Sequence, residues 1–174
     1  MRLLLSLLAF AAVALSAGAA DPAPALAGRW RLDPDRSSAL DGWQKWDLVI
    51  SLDGTRVNLR HDMQWIDTKV SETNVVDTAR PTTVGNFFRV EQRHMALYPV
   101  KDHPTPVSAT WLDHGRTLRV EAEPLIEGSQ GNFPIRIYAE YRLLEGDSQL
   151  LLIELHSTRP RPLVYRFTRV TADQ

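Results

Sequence analysis

Cysteine is absent from the 174-residue chain. That excludes disulfide staples, thiolate nucleophiles and thiolate metal ligands, together with the lipid-modified export signals that require a cysteine. An excess of one charge is also missing: 20 Lys and Arg stand against 21 Asp and Glu, a net charge of −1 with His neutral. A nucleic-acid partner, which is held through a basic surface, is therefore not expected. The first 20 positions carry no acidic residue, and no Gly-x-Ser-x-Gly elbow occurs anywhere. The histidines, His61, His94, His103, His114 and His156, never fall in His-x-His or His-x-x-x-His spacing, so no metal site is read from them. No stretch sustains an apolar period of 3.6 residues, and only Ser37 to Gly42 or Phe87 to Leu97 has room for a short helix. What remains is 44% hydrophobic and 24% charged, ordinary for a folded domain.

The amino terminus reads as an export signal. Met1-Arg2 gives a positive start, Leu3 to Leu15 is an apolar run interrupted by Ser6, and Ser16 to Ala20 supplies the small residues a signal peptidase needs. The run is shorter than the roughly 20 residues of a membrane-spanning helix. Residues 1–20 are thus expected to be a cleaved signal, cut after Ala19 or Ala20, and residues 21–25 a disordered Pro/Ala lead. Residues 26–174 form one domain, long enough to hold a core without staples. Removing Arg2 leaves 19 basic residues against 21 acidic ones, a net charge of −2. The signal has a bacterial look and 17 of the 20 basic residues are Arg, so the expected location is periplasmic or secreted.

Strand signals dominate the rest. Three two-residue turns separate runs of period-two alternation: Asp53-Gly54, His114-Gly115 and Gly146-Asp147. Around the second, Leu118, Val120 and Ala122 face one way, while Thr117, Arg119, Glu121 and Glu123 face the other. Before the third, Ile135, Ile137, Ala139, Tyr141 and Leu143 share an inner face. A last strand, Leu163 to Val170, follows Arg159-Pro160-Arg161-Pro162. Between Ile66 and Pro106 the pattern is weak: Val70, Val75 and Val76 suggest one strand, Phe87, Phe88 and Val90 another, and Tyr98 to Pro106 is a proline loop able to overhang a barrel mouth. The class is all-β. About eight to nine strands joined by hairpins leave exposed edges unless the sheet closes, which favours a single up-and-down antiparallel β-barrel over its rival, a β-sandwich.

Gly28-Arg29-Trp30 opens the first strand, and the last strand carries Arg166 and Arg169. This pattern resembles the lipocalin (calycin) family. There the resemblance implies a Trp lying across the closed end of the barrel with an Arg from the last strand packed on its face. A large aromatic plugs the narrow end, and the guanidinium also reaches backbone carbonyls. Parity with Leu163, Tyr165 and Phe167 selects Arg169 over Arg166, so Gly28, Trp30 and Arg169 are the expected barrel-closure set. The longer string Gly28-Arg29-Trp30-Arg31-Leu32-Asp33-Pro34-Asp35-Arg36-Ser37 is similar to the opening of a group of small exported bacterial lipocalin-like proteins. Tyr98-Pro99-Val100, the Trp111 to Val120 hairpin and Val164-Tyr165-Arg166-Phe167-Thr168-Arg169 match that group's layout; an inserted His114 and the irregular segment Thr68 to Arg93 depart from it. The resemblance implies a fold and a binding habit, with no shared catalytic residues.

The residues that carry chemistry agree. Glu121 and Glu123 are a carboxylate pair on a polar outer face, His114 sits in a turn, His103 in the proline loop, and His156 is placed beside Glu154 on an outer face. Arg159, Arg161, Arg166 and Arg169 lie among Arg136, Glu140, Arg142 and Glu145, a mixed surface rather than an anion site. Trp46, Trp65, Trp111 and Tyr141 are the candidate lining of an apolar calyx, with Trp30 structural. The function expected is binding of a small apolar or amphipathic ligand, without catalysis, cofactor or metal. A periplasmic interaction module with a filled barrel is the alternative, favoured by a dry packed interior. An enzyme at the barrel mouth is the third reading, and convergent buried polar groups in an open cavity would favour it.

Overall fold

A computed structural model of the chain describes residues 24–40, 43–89 and 98–171. The expected signal peptide, most of the Pro/Ala lead, His94 and parts of both candidate short helices lie outside the described residues. Among the described residues thirteen strands follow one another: β1 Gly28–Asp33, β2 Lys45–Asp53, β3 Arg56–Trp65, β4 Thr68–Asp77, β5 Thr82–Val84, β6 Tyr98–Pro99, β7 Thr105–Leu112, β8 Thr117–Ala122, β9 Leu125–Gly128, β10 Gly131–Pro134, β11 Ile137–Leu143, β12 Gln149–His156 and β13 Leu163–Arg169. Ten of them make one antiparallel sheet in the order β4-β3-β2-β1-β13-β12-β11-β8-β7-β5, and β10-β9-β6 make a second. The main sheet has ten strands instead of eight to nine, curled into a nearly closed barrel in which β4 returns beside β5 and β7.

Strands are hard to read from the sequence at two places, one in the main sheet and one in the second. β4 pairs with β3 along its full length, yet only Asn74 and Val76 are buried, so its alternation carries little apolar signal. The hairpin of β8 and β11 is interrupted at Pro124, and the Ile135 N–H to Pro124 C=O bond (3.0 Å) carries the ribbon past the bend into β9 and β10. On that bent ribbon β6 adds a short edge through Tyr98 opposite Glu127. Elsewhere the turns read from sequence set the register: Gly54, at φ +57°, closes β2 on β3 with Asp53 opposite Arg56, and Gly146, at φ +75°, closes β11 on β12 with Leu143 opposite Leu150.

First and last strands pair, Trp30 opposite Arg169, so the ends of the domain close the barrel wall together. The Trp30 indole is fully buried and donates to the Leu26 carbonyl at 3.1 Å. The Arg169 guanidinium stacks 4.0 Å above its centroid and donates to the carbonyls of Ala25, Ala27 and Asp147. Gly28 makes that approach possible. A Cβ there would sit 2.6 Å from Arg169 Nη1, on a backbone held at φ +142°.

Where β1 ends at Asp33, hydroxyls extend its pairing with β13. Ser37 Oγ donates to the Asp33 carbonyl (2.6 Å) and accepts from the Arg166 N–H (2.8 Å), and Ser38 Oγ accepts from the Val164 N–H (2.8 Å). Ser37→Ala leaves the Arg166 N–H without that acceptor. We expect a loss of about 1–2 kcal/mol in denaturant unfolding, with Ser37→Thr retaining most of it.

Candidate functional site

The barrel interior is apolar around Trp30 and becomes polar toward the opposite end. On β3, Val57, Leu59 and His61 face inward; on β4, Asn74 does; on β11, Ile137, Ala139 and Tyr141; on β12, Leu150, Leu152, Glu154 and His156. This corrects the placement of Glu154 and His156. Both are buried inside the barrel, joined by Nε2 to Oε2 at 3.3 Å, and their outward neighbours are Leu151, Ile153 and Leu155. The run Leu150 to Leu155 is apolar on both faces until Glu154, so alternation within β12 does not orient it. Register does: Ala139 lies opposite Glu154, and paired residues share a face.

A short segment fills the space these walls enclose. Phe87 is buried, and Phe88 is clamped by Asn74, whose Oδ1 accepts from the Phe88 N–H (2.8 Å) and whose Nδ2 donates to the Phe88 carbonyl (2.7 Å). Asn74 thus supplies one strand-like pairing where no ladder joins β4 to β5 or β7 among the described residues. The Phe88 ring lies 5.1 Å from His61, which stacks at 5.6 Å on Trp46. Tyr165 and Phe167 meet Trp46 edge-on, each at 5.0 Å.

Between His61, Asn74, Phe88, Arg89, Tyr141 and Glu154 a cavity of about 20 Å³ remains, space for about one water. Among the described residues, polar groups of His61 on this wall and of Trp46 behind it lack partners. Both ring nitrogens of His61 and the indole N–H of Trp46 are buried without hydrogen bonds, as is the Trp111 indole N–H elsewhere in the interior. Each such group costs about 1–3 kcal/mol relative to one satisfied by water or by a partner. Burial drives the His61 pKa down to about 4, against a smaller opposing pull from Asp62, so the ring is neutral at pH 7. Burial, and then the Glu154 charge, push the Tyr141 phenol well above its ordinary value.

Of the four candidate lining residues, Tyr141 is on the cavity wall and Trp46 stands behind His61. Trp65 is half-buried at the end of β3, and Trp111 is half-buried on β7; neither is on this wall. Glu121 and Glu123 are exposed, as are His103 and His114. Arg169 leaves the carboxy-terminal basic group for the barrel end. Among the described residues no three His, Asp or Glu side chains converge on a metal-sized space, and no helix is long and apolar enough to cross a membrane. Asn74 escapes sequence reasoning, because a lone Asn on a polar strand carries no local signal, and Phe87 and Phe88, read as part of a strand or the start of a short helix, lie in neither. At the rim of the barrel a groove of about 510 Å³ is bounded both by inward-facing Ala122, Ile137 and His156 and by outward-facing Glu121, Tyr138 and Leu155.

With this geometry in place, comparison with solved structures is informative. A protein titled REP1-NXSQ fatty acid transporter superposes with a TM-score of 0.50 at 10% identity, covering 84% of this chain and 96% of its own. A secretary abundant heat soluble (SAHS) protein from Ramazzottius varieornatus superposes with a TM-score of 0.51 at 13% identity, again over 84% and 96%. The fold is a lipocalin-like β-barrel. At these identities the likeness is one of fold, and it covers nearly the whole of both neighbours. No protein-family model matches the sequence, and no curated protein matches it.

Proposed function

We propose that this is an exported, non-catalytic binding protein that encloses a small amphipathic molecule in its barrel after the Phe87–Phe88 segment swings out. The observation that carries the reading is a polar set without partners among the described residues: His61 on the wall of the nearly filled interior and Trp46 behind it. A barrel serving only as a scaffold is most stable with an apolar fill; polar walls without partners are a cost that a polar ligand group recovers. The two phenylalanine rings occupy the place of the ligand's apolar part. Asn74 holds them by two hydrogen bonds to one residue, a latch that can be exchanged. The fatty acid transporter among the structural neighbours supports binding inside such a barrel. The signal-like residues 1–20 support export to the periplasm or beyond.

Titration with 1-aminoanthracene, whose emission rises in apolar surroundings, tests this. Saturable binding of one probe per chain is expected. Asn74→Ala weakens the latch and should tighten binding by roughly tenfold, because less of the closed state must be overcome. Linear, unsaturable uptake, or an affinity that ignores Asn74→Ala in a folded variant, would contradict the proposal. A second reading, the interaction module with a filled barrel, has two observations behind it: the interior keeps only about 20 Å³ of free space, and the far larger groove at the barrel rim has Leu155 beside it 46% exposed, which suits docking to another protein.

A further inference from the structure

The geometry points to the class of headgroup the barrel takes: one that donates hydrogen bonds, an alcohol or a protonated amine, in preference to a carboxylate. This rests on the binding function proposed above. The cavity has two kinds of boundary, the fixed strands and the Phe87 to Arg89 segment, and their charges differ. Arg89 belongs to the segment, so it leaves the wall when the segment moves. What stays behind is Glu154 on β12, with neutral His61, Tyr141 and Asn74 around it. Among the described residues Glu154 is therefore the one carboxyl group of that wall; its side-chain partner is His156, and no Lys or Arg of the strands lines the cavity.

Each of these groups asks for a donor or for a group that both donates and accepts. Glu154 accepts, and neutral His61 offers one nitrogen as acceptor and one as donor. An ammonium or hydroxyl meets both. A carboxylate brings a negative charge beside the Glu154 carboxyl group into a desolvated space, with no Lys or Arg of the strand wall to offset it. The aliphatic tail then takes the volume of the Phe87 and Phe88 rings, against Leu59, Val120 and Ile137.

Competition against bound 1-aminoanthracene at pH 7.5 with 1-decanol, decylamine and decanoate decides the matter. The alcohol and the amine should displace the probe at concentrations roughly tenfold or more below the carboxylate. In Glu154→Gln the amine should lose its advantage while the alcohol keeps its own, a pattern that general loosening of the barrel does not give. Displacement by decanoate as readily as by decanol, or more so, overturns the inference while leaving the binding function intact. If 1-aminoanthracene itself does not bind, the binding function fails and the headgroup inference fails with it. The wild-type ratio alone is decisive should Glu154→Gln not fold.

Discussion

Trp30→Ala should cost about 3–5 kcal/mol in equilibrium unfolding, among the largest effects of any single truncation in this chain. The indole is completely buried, its N–H is bonded to the Leu26 carbonyl, and its face supports the Arg169 guanidinium. Removing it leaves a cavity and withdraws the surface on which the half-buried Arg169 guanidinium rests. Arg169 then bridges the carbonyls of Ala25, Ala27 and Asp147 without its stacking partner. Arg169→Ala should be milder but measurable, and it should hurt more than Arg166→Ala, whose parent side chain lies opposite Leu151 on the outer face. A loss below about 1 kcal/mol for Trp30→Ala would reject Trp30 as the barrel's stopper.

The second large effect is on acid stability. His61 titrates near 6.5 when unfolded and near 4 when folded, so the unfolded chain takes up the proton first as pH falls. Its contribution is fully present above pH 6.5 and is lost as pH falls from 6.5 to 4, a total of roughly 3 kcal/mol. Asp62 opposes the shift, while Tyr141, Glu154 and Arg89 line the same cavity. Asp47 behaves differently. Burial pushes its carboxyl up, but bonds from Arg31 and Arg29 outweigh that and hold it below the usual range, so its loss comes at lower pH. His61→Leu should therefore flatten the curve between pH 6.5 and 4.5 without losing stability at pH 7, since it also removes a buried ring with two unpartnered nitrogens. Urea midpoints of both proteins across that range check it; parallel curves would show that His61 is not the titrating group.

Much of the fold is legible in the sequence because turns and alternation agree wherever the apolar face is strong. Asp53-Gly54 and Gly146-Asp147 fix two registers, and Leu118, Val120, Ala122, Ile137, Ala139 and Tyr141 mark one wall. β4 is hard to read because its role is to stand at the gap of the barrel, mostly exposed, with Asn74 turned inward for a single task. Glu154 and His156 look like outer-face residues when taken alone, and only their pairing with Ala139 and Ile137 turns them inward. The polar part of the interior is thus invisible to hydrophobic patterning for the reason that makes it interesting: burying those groups works against stability.

The most direct test of enclosed binding is hydrogen exchange at the Phe88 amide, followed by NMR with and without saturating 1-decanol. In the free protein that N–H is bonded to Asn74 Oδ1 and should be protected. With ligand bound, the Phe88 amide should lose its protection while the Arg169 amide, bonded to the Ser148 carbonyl at the far end, keeps its own. A Phe88 amide that stays protected while 1-decanol is bound would place the ligand outside the barrel and contradict the proposed function.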